Sequence, residues 1–593
     1  MTRAIALLFS CLVTAAATAG AETDLCWPLD LGTRYLTSNF MEHRPGRFHA
    51  GIDFKTDSRG GFPARAVADG WISRIRFTPG GYGKALYLRT EDGSTYVYAH
   101  LERLADPLRE LVEKAQRRRG HWDVSLQFPP DLHRVRQGDV LALTGQSGTS
   151  GPHLHFEVRD RTNRPLDPLA HGFAVLDTIA PLVLKVRAHP GGPRGRVHGT
   201  SSAHGVGDGV VPLSGNLGTV AVSGPIAFSA RIVELSDLKA HRLEPWCVRV
   251  TLDDSLVFSS RNDRLAFHQN DRSALVWLET EEGRERWLQR HRDNDLDGRD
   301  GQLWGDDPVR WGPGPHIVRL AATDRAGNTT EVHWTVVVDE TAVGDWIPAP
   351  VRVSFAPSIE DVTWLDPFQG EHLGEVIPLD TLAVRLGRRV PAVIRTSTLT
   401  ATERGRALRA QGLEDLGWSV EVLAAAWPRG GMLELSPDWG DSLSQDAGLY
   451  VETRSGWRFQ APAVRRGDSW RADLPGQGRF ALMRDVQAPY LGPGPEEGLV
   501  TPSGPGVTPE VSPPRWSVVM FRLEDLGSGI DPATIGARWN GEILIVEPDM
   551  PRQRVLVTFP DDTSPGLHSL ELWSADRGSR VVERIYELDL VAE

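Results

Sequence analysis

Five residues near the start of the chain have the types and spacing that metal chemistry requires. Residues 151–158 read GPHLHFEV, with His153 and His155 flanking one leucine. Upstream, FHAGIDF brings His49 and Asp53, and YVYAHL between the two motifs brings His100. Zinc accepts histidine nitrogen and aspartate oxygen, and a catalytic zinc site uses three protein ligands with a fourth position open. In a straight strand residues i and i+2 point to one side, about 6.6 Å apart, so His153 and His155 face one cleft. One of them can bind a metal while the other stands beside the open position; alternation alone does not say which. His49 and Asp53 would lie about 13 Å apart on a straight strand. They can share one ion only if the chain bends or makes a helical turn between them, and Gly51 makes a bend the easier route.

These residues need a rigid frame. From Cys26 to about Val175 the chain alternates in short apolar runs such as KALYLRT, STYVYAHL, DVLALTG and HLHFEVRD, separated by turn residues, which is the pattern of strands. DPLRELVEKAQRRRG differs. Leu108, Leu111, Val112 and Ala115 repeat at helical spacing, Asp106 can cap the start, Pro107 suits the first helical position and Gly120 can end it. Gly145, Gly148 and Gly151 punctuate the loop entering the histidine strand, where backbone turns tightly or lies close to another chain. His43 and His133 lie outside the motifs and read as solvated; Tyr98 alternates with His100 and reads as packing on the cleft wall.

HAGID, YAHL and GQSGTSGPHLHFEV, in this order and with AVADGWISRI, GYGKALYL and QGDVLALTG between them, resemble the signature of lysostaphin-like (LytM-type) zinc endopeptidases. The resemblance runs over residues 34–168. It implies an antiparallel β-sheet metallopeptidase domain in which His49, Asp53 and His155 bind zinc, with His153 and His100 beside the metal and the substrate carbonyl. It further implies peptidoglycan peptides as substrate, short side chains being favoured in a narrow groove. In such a site zinc lowers the pKa of water from 15.7 towards about 7, and a histidine, with an ordinary pKa of about 6.5, suits the base. The chain has no H-E-x-x-H, so the glutamate base of that protease class is missing and His153, helped by His100, is the candidate; one can act as base while the other steadies the oxyanion or protonates the leaving amine. A non-cleaving zinc-bound scaffold that activates another wall hydrolase is the alternative, and an exported protease of other proteins is a third. The helical insert, 106–133, departs from the resemblance and is expected at the rim of the cleft.

The rest of the chain is expected to be β as well. The 593 residues exceed one hydrophobic core. Residues 313–328, PGPHIVRLAATDRAGN, align without gaps with 565–580, PGLHSLELWSADRGSR, and DTIAPL from Asp177 matches DVQAPY from Asp485. Two copies of a β-sandwich unit resembling immunoglobulin-like modules are therefore expected at 176–340 and 485–593, around a β-rich domain at 341–484 and after the peptidase-like domain at 22–175. His316 and His568 recur in the repeat, each alone on its strand, and read as structural. HPGGPRGRVHGTSSAHGVGDG reads as a flexible loop. Asp293, Asp295 and Asp297 begin a D-x-D-x-D-G pattern that can hold calcium, although the twelfth position is Trp304 where such loops have glutamate; Asp306 or Asp307 could substitute, and a solvated acidic loop is the alternative.

Residues 1–21 carry Arg3, an apolar run and Ala19-Gly20-Ala21, the form of a cleaved secretory signal. A periplasmic or extracellular protein without a membrane span after signal removal is expected, with envelope proteins as possible partners of the β modules. A net charge of −13 argues against nucleic acid or an anionic membrane. Cys26 and Cys247 can pair in an oxidising compartment, or stand as two separate thiols.

Overall fold

The computed structural model describes residues 25–590, except 302–310, 340–361, 366–375, 386–391, 425–430, 436–446, 494–509, 512–517 and some shorter stretches. The signal-like segment lies outside the described residues, as do Asp293, Trp304, Asp306 and Asp307. The chain is mostly β. Among the described residues no helix is long and apolar enough to cross a membrane.

The first sheet contains β1 (Leu36–Ser38), β4 (Ile52–Lys55), β6 (Gly70–Phe77), β7 (Lys84–Arg89), β8 (Thr95–Ala99), β10 (Val124–Gln127) and β13 (His153–Arg159), in the order β1-β4-β13-β8-β7-β6-β10. Two short strands, β11 (Arg134–Val135) and β14 (Pro165–Leu166), extend β6 and β13. A hairpin of β2 (His43–Arg44) and β3 (Arg47–Phe48) precedes β4, and β5 (Pro63–Arg65), β12 (Val140–Thr144) and β9 (Leu101–Leu104) form a second small sheet. Alternation along β4 and β13 does the sorting. Ile52, Phe54, Leu154, Phe156 and Val158 are buried in one core with Tyr98 and Phe173. The residues between them point the other way. Tyr98 is fully buried rather than on a cleft wall; its hydroxyl donates to Arg65 O (2.9 Å) and accepts from Val67 N (3.1 Å).

The insert forms helix α1 (Leu108–Arg119) and β10. Leu108, Val112 and Ala115 enter the core as the spacing predicts. Gly120 ends the helix at φ 68°, its N–H reaching Gln116 O and Arg117 O. Asp106 does not cap: Pro107 stands at the cap position, and the Asp106 carboxylate takes Arg109 Nε at 3.0 Å. β10 pairs with β6, the edge of the sheet remote from β4. The strand of the insert thus widens the sheet at its far side instead of rimming the cleft.

Beyond residue 180, paired sheets of mostly antiparallel strands recur, and each of the two repeat units has one parallel pair. In the repeat, Gly314–Thr323 pairs with Thr329–Val338 and Gly566–Asp576 with Val581–Leu590. The repeated histidines do the same work. His316 Nε2 reaches Gly312 O (3.0 Å) and Nδ1 reaches Asp253 (2.7 Å); His568 Nε2 reaches Ser564 O (2.7 Å) and Nδ1 reaches Asn540 (2.8 Å). Each ties its own strand to a turn, and neither joins a ligand cluster.

Two expectations are corrected, and one open alternative is decided. The Gly/Pro-rich stretch forms short strands at Arg196–Val197 and His204–Gly205 and buries Val197 and Val206, because its apolar residues find a core. The acidic stretch does not form a calcium loop among its described residues: Asp295 pairs with Arg272 and Asp297 with Arg264, each at 2.7 Å, so these carboxylates already have cations. Cys26 and Cys247 are separate free thiols.

Candidate metal centre

β13 sits between β4 and β8 with His155 opposite both Asp53 and Ala99. Directly opposed residues have side chains within reach of one another, so the register alone brings Asp53 to His155. His49 arrives differently. It lies in the break between β3 and β4, and this bend brings its Nε2 to 3.1 Å from Asp53 Oδ1. Gly51 in that break is required for a further reason: a Cβ there would lie 2.2 Å from Phe156 O on the adjacent strand. His100 follows Ala99, and His153 precedes His155 by two on the same face.

Three ligand atoms face one another. His49 Nε2 and His155 Nδ1 are 2.9 Å apart, and Asp53 Oδ1 is 2.9 Å from His155 Nδ1 and 3.1 Å from His49 Nε2. Tetrahedral zinc with ligand distances of about 2.0–2.1 Å separates its ligands by roughly 3.3 Å, close to these spacings. The outer nitrogens decide the matter. His49 Nδ1 meets the backbone carbonyl of Asn39 at 2.8 Å, and His155 Nε2 meets Glu157 Oε1 at 2.9 Å. Both partners only accept, so both outer nitrogens carry the proton and, in the neutral rings, both inner nitrogens present lone pairs. Two lone pairs and a carboxylate oxygen converging at this distance require a cation. The donor set of two nitrogens and one oxygen fits zinc.

The charges around the centre agree. Burial opposes ionisation of Asp53, but His49, His155 and His153 outweigh it and hold its carboxyl well below the usual range. Burial likewise opposes Glu157, and Arg159 and His155 bring it down to about 2. Burial would lower His155, yet Asp53 and Glu157 on either side raise it to about 9.

Two histidines stand beside the triad. His153 Nδ1 points to Gly151 O (3.0 Å) and Nε2 lies 3.6 Å from Asp53 Oδ1. His100 Nδ1 points to Ser147 O (2.8 Å), and its ring centre lies 4.6 Å from that of His153. Each therefore turns an unprotonated Nε2 away from its carbonyl partner. Burial lowers His153 and takes His100 down to about 3, so both are neutral near pH 7. His100 sits at φ 60°, a strained conformation for a residue with a large side chain. It is held by its N–H to Tyr82 O (3.0 Å) and by Ser147. The loops carrying Tyr82 and Ser147 touch: a Cβ on Gly83 would lie 2.1 Å from Ser147 O, and one on Gly148 would lie 2.5 Å from Gly83 N. Gly145 similarly approaches Glu102, while Gly151 faces open space.

All five sequence-derived residues are thus brought together; among the described residues Asp295 and Asp297 join no ligand cluster. Sequence reasoning missed Glu157, Arg159, Tyr82 and Arg44. Glu157 takes His155 and Tyr82 on one oxygen and Arg159 Nε (2.6 Å) on the other. Arg44 Nη2 approaches the outer oxygen of Asp53 at 3.5 Å. The alternation that paired His153 with His155 continues to Glu157 and Arg159 and could have found both. His43, read as solvated, packs edge-on against Trp277 (5.0 Å), and His133 against Phe128 (4.5 Å).

A 125-residue segment, 21% of the chain, is 33% identical to the DD-carboxypeptidase/endopeptidase Mpg of Neisseria meningitidis and covers 23% of that protein. This segment is similar to a metallopeptidase. Over 123 residues, 20% of the chain, there is 32% identity to an uncharacterized metalloprotease of Haemophilus influenzae, covering 21% of it. A zinc containing peptidase from Vibrio cholerae is similar in structure over 26% of this chain and 40% of its own, at 28% identity and a TM-score of 0.19. The chain thus spans under a quarter of the length of the curated relatives it matches. No family model matches it.

Proposed function

We propose that the chain is an exported zinc metalloendopeptidase that hydrolyses peptide bonds of peptidoglycan, its later β modules, of immunoglobulin-like kind, positioning it in the envelope. The observation that carries this reading is the convergence of His49 Nε2, Asp53 Oδ1 and His155 Nδ1, with the outer nitrogens of both rings held by acceptors. When bound, zinc would acidify a water and polarise the scissile carbonyl. His49, Asp53 and His155 hold the metal. Glu157 orients the His155 ring, Asn39 O orients His49, and Arg44 steadies Asp53. His153, with 15% of its side chain exposed and its Nε2 bare, takes the proton from the attacking water. His100 is more deeply placed and fixes the wall beside it. The peptidoglycan substrate is supported by the printed activity of the Neisseria relative and by the motif resemblance.

The test is to incubate the full-length chain, purified with zinc, with purified sacculi and to identify released fragments by mass spectrometry. Chelator-sensitive release that His153→Ala abolishes is expected. Zinc binding without cleavage, together with stimulation of a separate wall hydrolase, would replace the enzyme with a scaffold. Cleavage confined to ordinary proteins would remove the substrate.

A further inference from the structure

Two further clusters, made of carboxylates alone, occur among the described residues, and the repeat relates them. Asp177, Glu234 and Asp324 place ligand oxygens within 4.8 Å of one another, and so do Asp485, Asp525 and Asp576. Asp177 and Asp485 are the first residues of the matched DTIAPL and DVQAPY. Asp324 and Asp576 are the matched aspartates at the end of the histidine strands. Glu234 and Asp525 lie at corresponding strand ends. The strand at Ile226–Leu235 pairs with Leu182–Pro190, and that at Val518–Glu524 pairs with Tyr490–Pro493. In each unit the three carboxylates therefore gather at the pole where the chain enters.

The local geometry repeats too. Asp177 and Asp485 each accept from the N–H two residues on, at Ile179 (3.2 Å) and Gln487 (3.1 Å). Asp324 and Asp576 each accept from the N–H four residues on, at Asn328 (2.9 Å) and Arg580 (2.8 Å). The arginine after each is turned elsewhere: Arg325 to Asp167 and across Trp246, Arg577 across Phe459. Among the described residues, one oxygen in each cluster stays without a hydrogen-bond partner. Glu234 Oε2 and Asp576 Oδ2 make no hydrogen bond, although both residues are only 2% exposed. A buried carboxylate oxygen left unpaired among other carboxylates is costly unless a cation meets it.

We infer that these clusters are two equivalent calcium sites, one at each entry pole. All six ligands are carboxylates, the donor type of hard cations, and a calcium shell with oxygens at 2.3–2.6 Å is about 5 Å across, which accommodates the observed spread. Each site stands at a junction. The first lines a cavity with Arg34, Tyr35 and Asn39 of the preceding domain. Around the second, Val486 N donates to Gly412 O (2.8 Å) and Gln411 Nε2 to Leu526 O (3.0 Å), across to the middle region. Calcium there stiffens both joints. Arg580 Nε donates to Asp485 O (2.6 Å) beside the second site, as Arg34 and Arg325 line the cavity at the first. In the absence of calcium, burial together with Asp177 and Asp324 pushes Glu234 up to about 9. The inference is independent of the peptidase reading.

The experiment titrates calcium chloride into the full-length, zinc-loaded chain by calorimetry and follows thermal unfolding with and without calcium. Two ions per chain and an upward shift of the unfolding midpoint are expected. Asp177→Asn with Glu234→Gln and Asp324→Asn removes one ion; Asp485→Asn, Asp525→Asn and Asp576→Asn remove the other. The sixfold variant loses the calcium shift, yet without calcium it melts no lower than the original chain, because carboxamides relieve the buried repulsion. That last comparison separates a lost site from a damaged fold. Absence of heat and of any shift at millimolar calcium, or an unchanged stoichiometry in the sixfold variant, would overturn the inference. Tighter binding of magnesium than of calcium would overturn the choice of ion.

Discussion

His155 Nε2 and Glu157 Oε1 stand 2.9 Å apart, two residues along one strand, with the Glu157 side chain wholly shut off from solvent. The carboxylate fixes the ring so that its other nitrogen faces Asp53 and His49. Glu157→Gln is expected to weaken zinc affinity about 10- to 100-fold, measured by competition with a chelator of known affinity. It also strips the buried Arg159 of its counter-charge, and breaking such a pair costs roughly 3–5 kcal/mol, read as a lower melting temperature. Unchanged zinc affinity would show that Glu157 serves only Arg159.

His153 and His155 share a face, and the proposal gives them different tasks. His153→Ala is expected to keep its zinc and lose at least about 100-fold in turnover. His155→Ala loses the zinc itself. Metal analysis of the two purified variants, alongside their activities, separates them. Equal zinc loss in both would make His153 a ligand.

Gly51 lets β4 lie against β13. Gly51→Ala would place a methyl group 2.2 Å from Phe156 O, so the strands must part where Asp53 meets His155. A loss of about 1–3 kcal/mol in stability is expected, with weaker zinc binding. Thermal unfolding and chelator competition check both, and a variant indistinguishable from the original chain in each would refute the requirement.

His189 gives the β unit that begins near Leu182 a pH dependence. Burial, chiefly, lowers it to about 4; it holds Ser229 Oγ at 2.7 Å and lies edge-on to Trp287. Unfolded, a histidine takes up its proton near pH 6.5, whereas the folded ring refuses it until about 4. Its contribution is thus complete above pH 6.5 and declines as pH falls towards 4, by an amount on the order of 3 kcal/mol. His189→Gln should flatten the fall in melting temperature over that range. An identical fall in the variant would assign it to other groups.

The candidate centre was largely legible because Asp53 and His155 come from paired strands and His49 from the short break just before one of them. Period two placed His153 and His155 together, and motif order supplied His49, Asp53 and His100. Glu157 was equally available by the same period but has no ligand-like company in sequence. Arg44 and Tyr82 were not available, since hairpin folding and loop contact bring them in. Helix α1 was read from its stripe, while its cap was misread because Asp106 had Arg109 as a competing partner. Local pattern likewise failed at Asp295 and Asp297: two arginines distant in sequence, Arg272 and Arg264, hold them. Val197 and Val206 escaped notice because glycines and prolines around them masked two core residues.

β13 carries Leu154, Phe156 and Val158 on one side and His153, His155, Glu157 and Arg159 on the other. Folding and chemistry therefore use a single ruler. A slip of one residue would turn the imidazoles and charges into the core and the aromatic rings outward. Such a chain could not persist as a sluggish half-enzyme; it would fail to fold. The metal-ligand face therefore exists only when the sheet is complete, so an unfinished chain has no centre to load.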